Sequence, residues 1–140
     1  METPFHLLIL KLSLAQKKLI RPSMQELGLS AGQPKILSFL KRHGECIQKE
    51  LAGYFEIEPA TVSKLLDNME AAGLIERRAR DKRAVFVRLT EKGQQMEEKA
   101  EKRFEEIRKM ELSGFSEQEK AEFISYLCRM YQNMTGKEVE

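Results

Sequence analysis

The stretch from Pro59 to Gly73 constrains the chain more than any other. Proline at a first helical position has its φ already set and lacks an N–H that would go unbonded there, while glycine just past a last turn takes the left-handed backbone that closes a helix. Between them Val62, Leu65, Leu66, Met69 and Ala72 recur at helical spacing. This predicts a helix with one apolar stripe turned inward. Ala60, Thr61, Ser63, Lys64, Asp67, Asn68 and Ala71 then face out. That face is short and polar, with no bulky side chain, so it can enter a major groove where hydroxyls, amides and lysine meet base edges and phosphates. A merely solvated helix face has the same composition, and the residues that follow shift the balance.

After Gly73, Val85, Val87 and Leu89 alternate with Ala84, Phe86 and Arg88, the period of a strand with two unlike faces. A hairpin over Leu74 to Thr90 fits. From Glu76 to Arg88 six basic residues (Arg77, Arg78, Arg80, Lys82, Arg83, Arg88) meet two acids (Glu76, Asp81), a net of +4 in a chain whose total is +2. A basic hairpin tip beside a polar-faced helix suits one element in the major groove and cations on phosphates or in the adjacent minor groove. A short helix from about Ile47 to Tyr54, burying Ile47, Leu51 and Phe55, precedes Pro59. Helix, turn, helix and basic hairpin together read as a winged helix-turn-helix.

Several runs resemble the MarR family of bacterial transcriptional regulators: Gln48-Lys49-Glu50-Leu51-Ala52, Thr61-Val62-Ser63, Gly73-Leu74-Ile75-Glu76-Arg77, and above all Asp81-Lys82-Arg83 leading through Val87-Arg88-Leu89-Thr90-Glu91-Lys92-Gly93. The resemblance implies a mainly α fold with a small β-hairpin wing, a winged helix-turn-helix with flanking dimerisation helices. Its regions would be an N-terminal dimerisation helix (1–28), the DNA-binding region (29–89) and C-terminal dimerisation helices (90–140). The function it implies is sequence-specific binding of double-stranded DNA by a homodimer on a palindromic operator. The regulator would be a repressor, released by a small amphipathic or aromatic effector held near the first, second and fifth helices. Ala60, Thr61, Ser63, Lys64 and Asn68 would read bases or position the helix, with Gln48 and Lys49 near the start of the helix that crosses the backbone. Arg78, Arg80, Lys82 and Arg83 would hold the wing on DNA, and Asp81 would stabilise the wing by an ion pair to Arg83. The chain departs from the family pattern in two places: only Ala79 and Arg80 separate Arg78 from Asp81, and Glu58 stands where many relatives have a Ser or Asp cap. The alternative reading is a winged-helix protein-interaction module that turns the same face to another protein. The low hydrophobicity of the outward face and the cationic wing favour DNA.

With 140 residues, 41% of them hydrophobic and 33% charged, one globular domain with a modest core is expected. The near-neutral total excludes a generally polycationic binder, so contact with nucleic acid must come from uneven charge. Phe5 to Leu14 is apolar, yet it is too short for a bilayer, contains Lys11 and lacks a cleavage site, so neither a span nor a signal peptide is expected. Cys46 and Cys128, far apart in such a chain, point to reduced thiols and the cytoplasm.

Thr3 and Pro4 open a first helix expected to run to about Ile20 and to end at Arg21-Pro22. Phe5, Leu8, Ile9, Leu12 and Leu19, widened by Leu7, Leu10 and Leu14, give it an apolar band that needs more than one partner surface. A second subunit would supply one; a helix central to its own monomer is the other reading. Ser30-x-x-Gln33 has capping-box spacing before a helix that buries Ile36, Leu37 and Leu40 and closes at His43-Gly44. Thr90 can cap a long helix to about Leu112 whose inner face holds Met96, Ala100, Phe104, Ile107 and Glu111, with Glu98–Lys102 and Glu105–Lys109 pairs outside. Ser116-x-x-Glu119 repeats the capping box before a last helix striped by Phe123, Ile124, Leu127, Met130, Tyr131 and Met134, and the tail after Thr135 should fray.

Catalytic and metal chemistry find no candidates. His6 and His43 have no ligand partners at metal spacing, and no phosphate loop, nucleophile elbow or paired catalytic carboxylates occur. No enzyme, metal or cofactor is expected. Cys46 near a helix start could be a reactive thiol or an inert buried one, and the inert reading is preferred.

Overall fold

Short apolar stripes on several helices can be hidden only by helices crossing one another and a small sheet, and the computed structural model, which describes residues 2–139, does this in two compact units, the second beginning at Glu106. The elements among the described residues run α1 (Phe5–Glu26), α2 (Gln33–His43), β1 (Cys46–Ile47), α3 (Gln48–Phe55), α4 (Pro59–Ala71), β2 (Ile75–Ala79), β3 (Val85–Leu89), α5 (Glu91–Glu111) and α6 (Glu117–Thr135). None of these helices is long and apolar enough to cross a membrane.

In the first unit the core gathers around Ile36, Leu37 and Leu40 of α2, Leu51 of α3, and Val62, Leu66 and Met69 of α4, closed on the sheet side by Leu74, Ile75 and Val87. Each such side chain adds about 1.5–3 kcal/mol relative to exposure. The α4 stripe is as expected except at its end: Leu65 is half-buried, and Ala72 is the exposed C-cap residue rather than a core member. Gly73 follows at φ 78, closing α4 as expected, and Leu74 N–H returns to the Met69 carbonyl at 2.9 Å.

Three expectations are corrected. The first helix does not stop at Arg21-Pro22; α1 continues through Pro22 to Glu26. Pro22 removes one helical hydrogen bond at an exposed position where water can hydrate the freed carbonyl, and continuing the helix brings Met24, 3% exposed, into the core. The Ser30 box is half-formed. Gln33 Oε1 accepts from Ser30 N–H at 3.1 Å, but α2 begins at Gln33 behind a left-handed Gly32, so the Ser30 hydroxyl caps nothing. Ile47 belongs to β1 and not to the short helix. The expected hairpin forms as β2–β3, and β1 adds to it to make a three-stranded antiparallel sheet of order β1-β3-β2, with Cys46 opposite Val87 and Ile47 opposite Phe86.

The long helix α5 begins as expected at the Thr90 cap, where Oγ1 accepts from Gly93 N–H at 3.0 Å. Ala100 and Ile107 are buried and Met96 and Phe104 half-buried, while Glu111 is exposed. Glu98 lies 4.0 Å from Lys41 instead of pairing along its own helix. In the second unit Ser116 and Glu119 form the full capping box at the start of α6. No residue of α6 is buried: Ile124, Leu127 and Met134 are among its exposed apolar side chains. In α1, by comparison, Phe5, Leu7, Leu8, Leu10, Leu12, Leu14 and Leu19 are all exposed and only Met24 is buried.

Candidate nucleic-acid interface

The outward face of α4 is built as expected at most positions. Ala60, Thr61, Lys64, Asp67 and Asn68 are exposed, whereas Ser63 is half-buried. Thr61, Lys64 and Asn68 have no side-chain polar partner among the described residues, so their donors and acceptors are available to a ligand. Asp67 is not available. Its Oδ1 accepts from the Arg77 guanidinium at 2.5 Å, and Glu70 accepts from the same guanidinium at 3.0 Å and from Arg77 N–H at 3.1 Å. Burial pulls down the Arg77 pKa, but the hydrogen bonds and charges of Asp67 and Glu70 outweigh it and raise the pKa overall. Glu70 thus satisfies an N–H on the outer edge of the sheet, and the Arg77 guanidinium offsets the charge of two carboxylates on this face.

The wing redistributes its charge in the same way. Arg88 is bound to Glu76 across the β2–β3 ladder at 2.7 Å, and Arg78 lies 3.8 Å from Glu45 and beside the Phe86 ring. Of the six cations counted in the sequence, Arg77 and Arg88 are therefore committed internally. Arg80, Lys82 and Arg83 remain exposed on the tip without an ion-pair partner among the described residues, Arg80 resting 5.7 Å from the Phe86 ring centre. The expected ion pair from Asp81 to Arg83 does not form. Asp81 Oδ1 instead accepts from Arg83 N–H at 2.7 Å and Ala84 N–H at 3.1 Å, and Arg80 N–H closes the turn on the Ala84 carbonyl at 3.1 Å. An Asx-type turn shapes the tip through its backbone and leaves the Arg83 guanidinium free.

Sequence spacing gave no hint of what Arg83 approaches. A cleft of about 350 Å³ is lined by Ile47 of β1, Gln48 and Lys49 at the start of α3, Pro59 and Val62 at the start of α4, and Arg83 and Val85 of the wing. The two-residue strand β1 makes this juxtaposition, because pairing Ile47 with Phe86 sets the first turn of α3 against β3. Of the expected site residues, Gln48, Lys49 and Arg83 meet in this cleft. Lys64 and Asn68 lie farther along α4, and Arg78 sits on the opposite strand. Two helix N-termini with a lysine and an arginine beside them favour an anion, and Glu50 in the first turn of α3 and Glu58 at the α4 cap oppose it.

A larger cavity, about 520 Å³, opens between α1, the loop to α2, and α5. Ile20, Met24, Leu29 and Phe104 give it an apolar lining and Lys17, Arg21 and Lys35 a cationic rim, with no acidic residue among those that line it. The thiol of Cys46 is buried in β1, and burial, with Glu50 and Glu45 nearby, pushes its pKa up to about 11, so it is not a thiolate at neutral pH. No cluster of His, Cys, Asp or Glu able to hold a metal occurs among the described residues.

The sequence model of the MarR family matches residues 29–85. The HTH-type transcriptional regulator YwoH of Bacillus subtilis is 34% identical over 116 residues, which cover 77% of this chain and 79% of that protein. Among solved structures, a complex of S. aureus MepR with DNA superposes with a TM-score of 0.85 at 25% identity, covering 96% of this chain and 100% of that one. A MarR family transcriptional regulator from Listeria monocytogenes, in complex with 26mer DNA, superposes at 0.82 with 26% identity, covering 96% and 90%.

Proposed function

This chain belongs to the MarR family of transcriptional regulators, and we propose that it acts as a homodimeric repressor on a palindromic operator in double-stranded DNA, released by a small effector. The observation that carries the reading is the convergence of Gln48, Lys49 and Arg83 on one cleft at the start of α4, whose outward face carries the unpartnered Thr61, Lys64 and Asn68. A phosphate in that cleft would register the protein on the backbone while α4 lies in the major groove, the division of labour that sequence-specific binders use. The dimer would join its copies through residues 1–28 and 90–140, around a DNA-binding region at 29–89, and would work in the bacterial cytoplasm.

One helix and one wing read few base pairs. A dyad doubles that reach by placing two half-sites about one helical turn, ~34 Å, apart. The 520 Å³ cavity fits the effector, and its apolar lining under three cations suits an amphipathic anion. Selection of bound duplexes from random DNA tests the whole reading. We expect an inverted repeat, with affinity falling linearly on a log–log plot against salt. Recovery of no common sequence, or binding indifferent to salt, would leave only a winged-helix module that uses this face on another protein.

A further inference from the structure

The run Thr90-Glu91-Lys92-Gly93 does more than open α5. Three successive carbonyls at the end of α4, those of Ala72, Gly73 and Leu74, are received in turn by Lys92 Nζ at 2.7 Å, Thr90 Oγ1 at 2.5 Å and Thr90 N–H at 3.1 Å. The same Thr90 hydroxyl accepts from Gly93 N–H, so one oxygen both ties off α4 and caps α5. Gly93 is buried against this joint: a Cβ there would stand 1.9 Å from the Leu74 carbonyl oxygen, which no side chain can do without backbone movement. The Lys92 ammonium also sits at the negative end of the α4 dipole. At the opposite end, Glu58 caps α4 without any side-chain hydrogen bond. The polar hold on α4 is thus concentrated at its C-terminal end.

We propose that Thr90, Lys92 and Gly93 are positioning residues that fix the angle between α4 and α5, and so set which half-site spacing the regulator accepts. The proposal rests on the dimeric, palindrome-reading function above, in which each recognition helix is aimed by its joint to a dimerisation helix. Adding one base pair between half-sites displaces a half-site by about 3.4 Å and turns it by about 35°. A joint that could swivel would tolerate such a step; one bonded at three consecutive carbonyls and pressed shut by a glycine resists it.

The test uses the full chain and duplexes carrying the selected half-sites at the preferred spacing and at one base pair fewer or more, with affinities measured by fluorescence anisotropy. The unsubstituted protein should lose tenfold or more on either side of its optimum. Thr90→Val/Lys92→Met should bind the three spacings within about threefold of one another, and Lys92→Met alone, which leaves the Thr90 bonds in place, should flatten the profile part of the way. Reading the single variant beside the double keeps a poorly folded double variant from deciding the outcome. A variant profile as sharp as the original overturns the proposal, as does a Lys92→Met salt slope lowered by about 1, which would make Lys92 a phosphate contact. A flat profile in the unsubstituted protein would overturn the positioning role and leave the palindrome reading standing, whereas a failure to select paired half-sites at all would overturn the palindrome reading.

Discussion

Arg83 and Glu97 show how differently two charged residues on one chain can behave. Arg83 is exposed, its guanidinium unclaimed, and its backbone held by Asp81. Replacing it with alanine should weaken binding to every DNA sequence and lower the slope of log K against log salt by about 1, the signature of one neutralised phosphate. An unchanged slope would take Arg83 off the phosphates. Glu97, only 8% exposed on α5, lies under the opposite constraint. Burial holds its carboxyl above the usual glutamate range; Lys41 pulls the other way, while Glu101 and Glu98 push it further up. Between the ordinary and the raised pKa the folded state binds the extra proton, so this group subtracts stability as pH rises through that window and subtracts nothing below it. Glu97→Gln should therefore melt above the unsubstituted protein near about pH 7, with the gap closing near about pH 4. A gap of equal size at both pH values would assign the effect to packing.

Among the elements, the least expected join is that of α4 to β2 through Arg77. Asp67 stands on the outward face of its helix and Arg77 among the cations of its strand, each as its own element's period has it. The fold sets the two against each other, with the Arg77 side chain 18% exposed, and the alternation of Ile75, Arg77 and Ala79 along β2 was the available signal that Arg77 turns toward the helix. Arg77→Met should cost about 1 kcal/mol, since the carboxylates left behind are partly solvated. Adding Asp67→Asn and Glu70→Gln to that variant should cost little more, because the three side chains act as one unit. Strictly additive losses in chemical denaturation would mean that they do not. β1 teaches a related lesson. Two residues carry no detectable period, so Ile47 reads as the start of a helix, yet pairing it with Phe86 is what carries Gln48 and Lys49 to Arg83.

For the molecule as a whole, the question is what covers the apolar faces that a single copy leaves in water. In α1 seven large apolar side chains are exposed, and in α6 Phe123, Ile124, Tyr126, Leu127, Tyr131 and Met134 are exposed as well. Large apolar side chains exposed in such number along one helix mark an interface. Ile124→Lys/Leu127→Lys alters side chains that are 52% and 45% exposed, so the protomer should keep its helical circular dichroism, sediment as a monomer and lose most of its affinity for the palindrome. A dimer that survives this pair of charges would place the interface elsewhere.

The helices, their amphipathic stripes, the Ser116 cap and the charge on the wing were legible in the order of residues, because each depends on neighbours within a turn or two of the chain. That locality also made the sequence misleading at Pro22, where the local cost of a proline was outweighed by the burial of Met24. Which cations stay free, that Asp81 shapes the wing through backbone N–H groups, and that Thr90 and Lys92 close the end of α4 were settled by folding alone. Apart from the short Asp81 turn, these are hydrogen bonds between residues 7 to 20 positions apart, and a bond of that kind has no period to read: it exists only once packing has brought donor and acceptor within reach of each other.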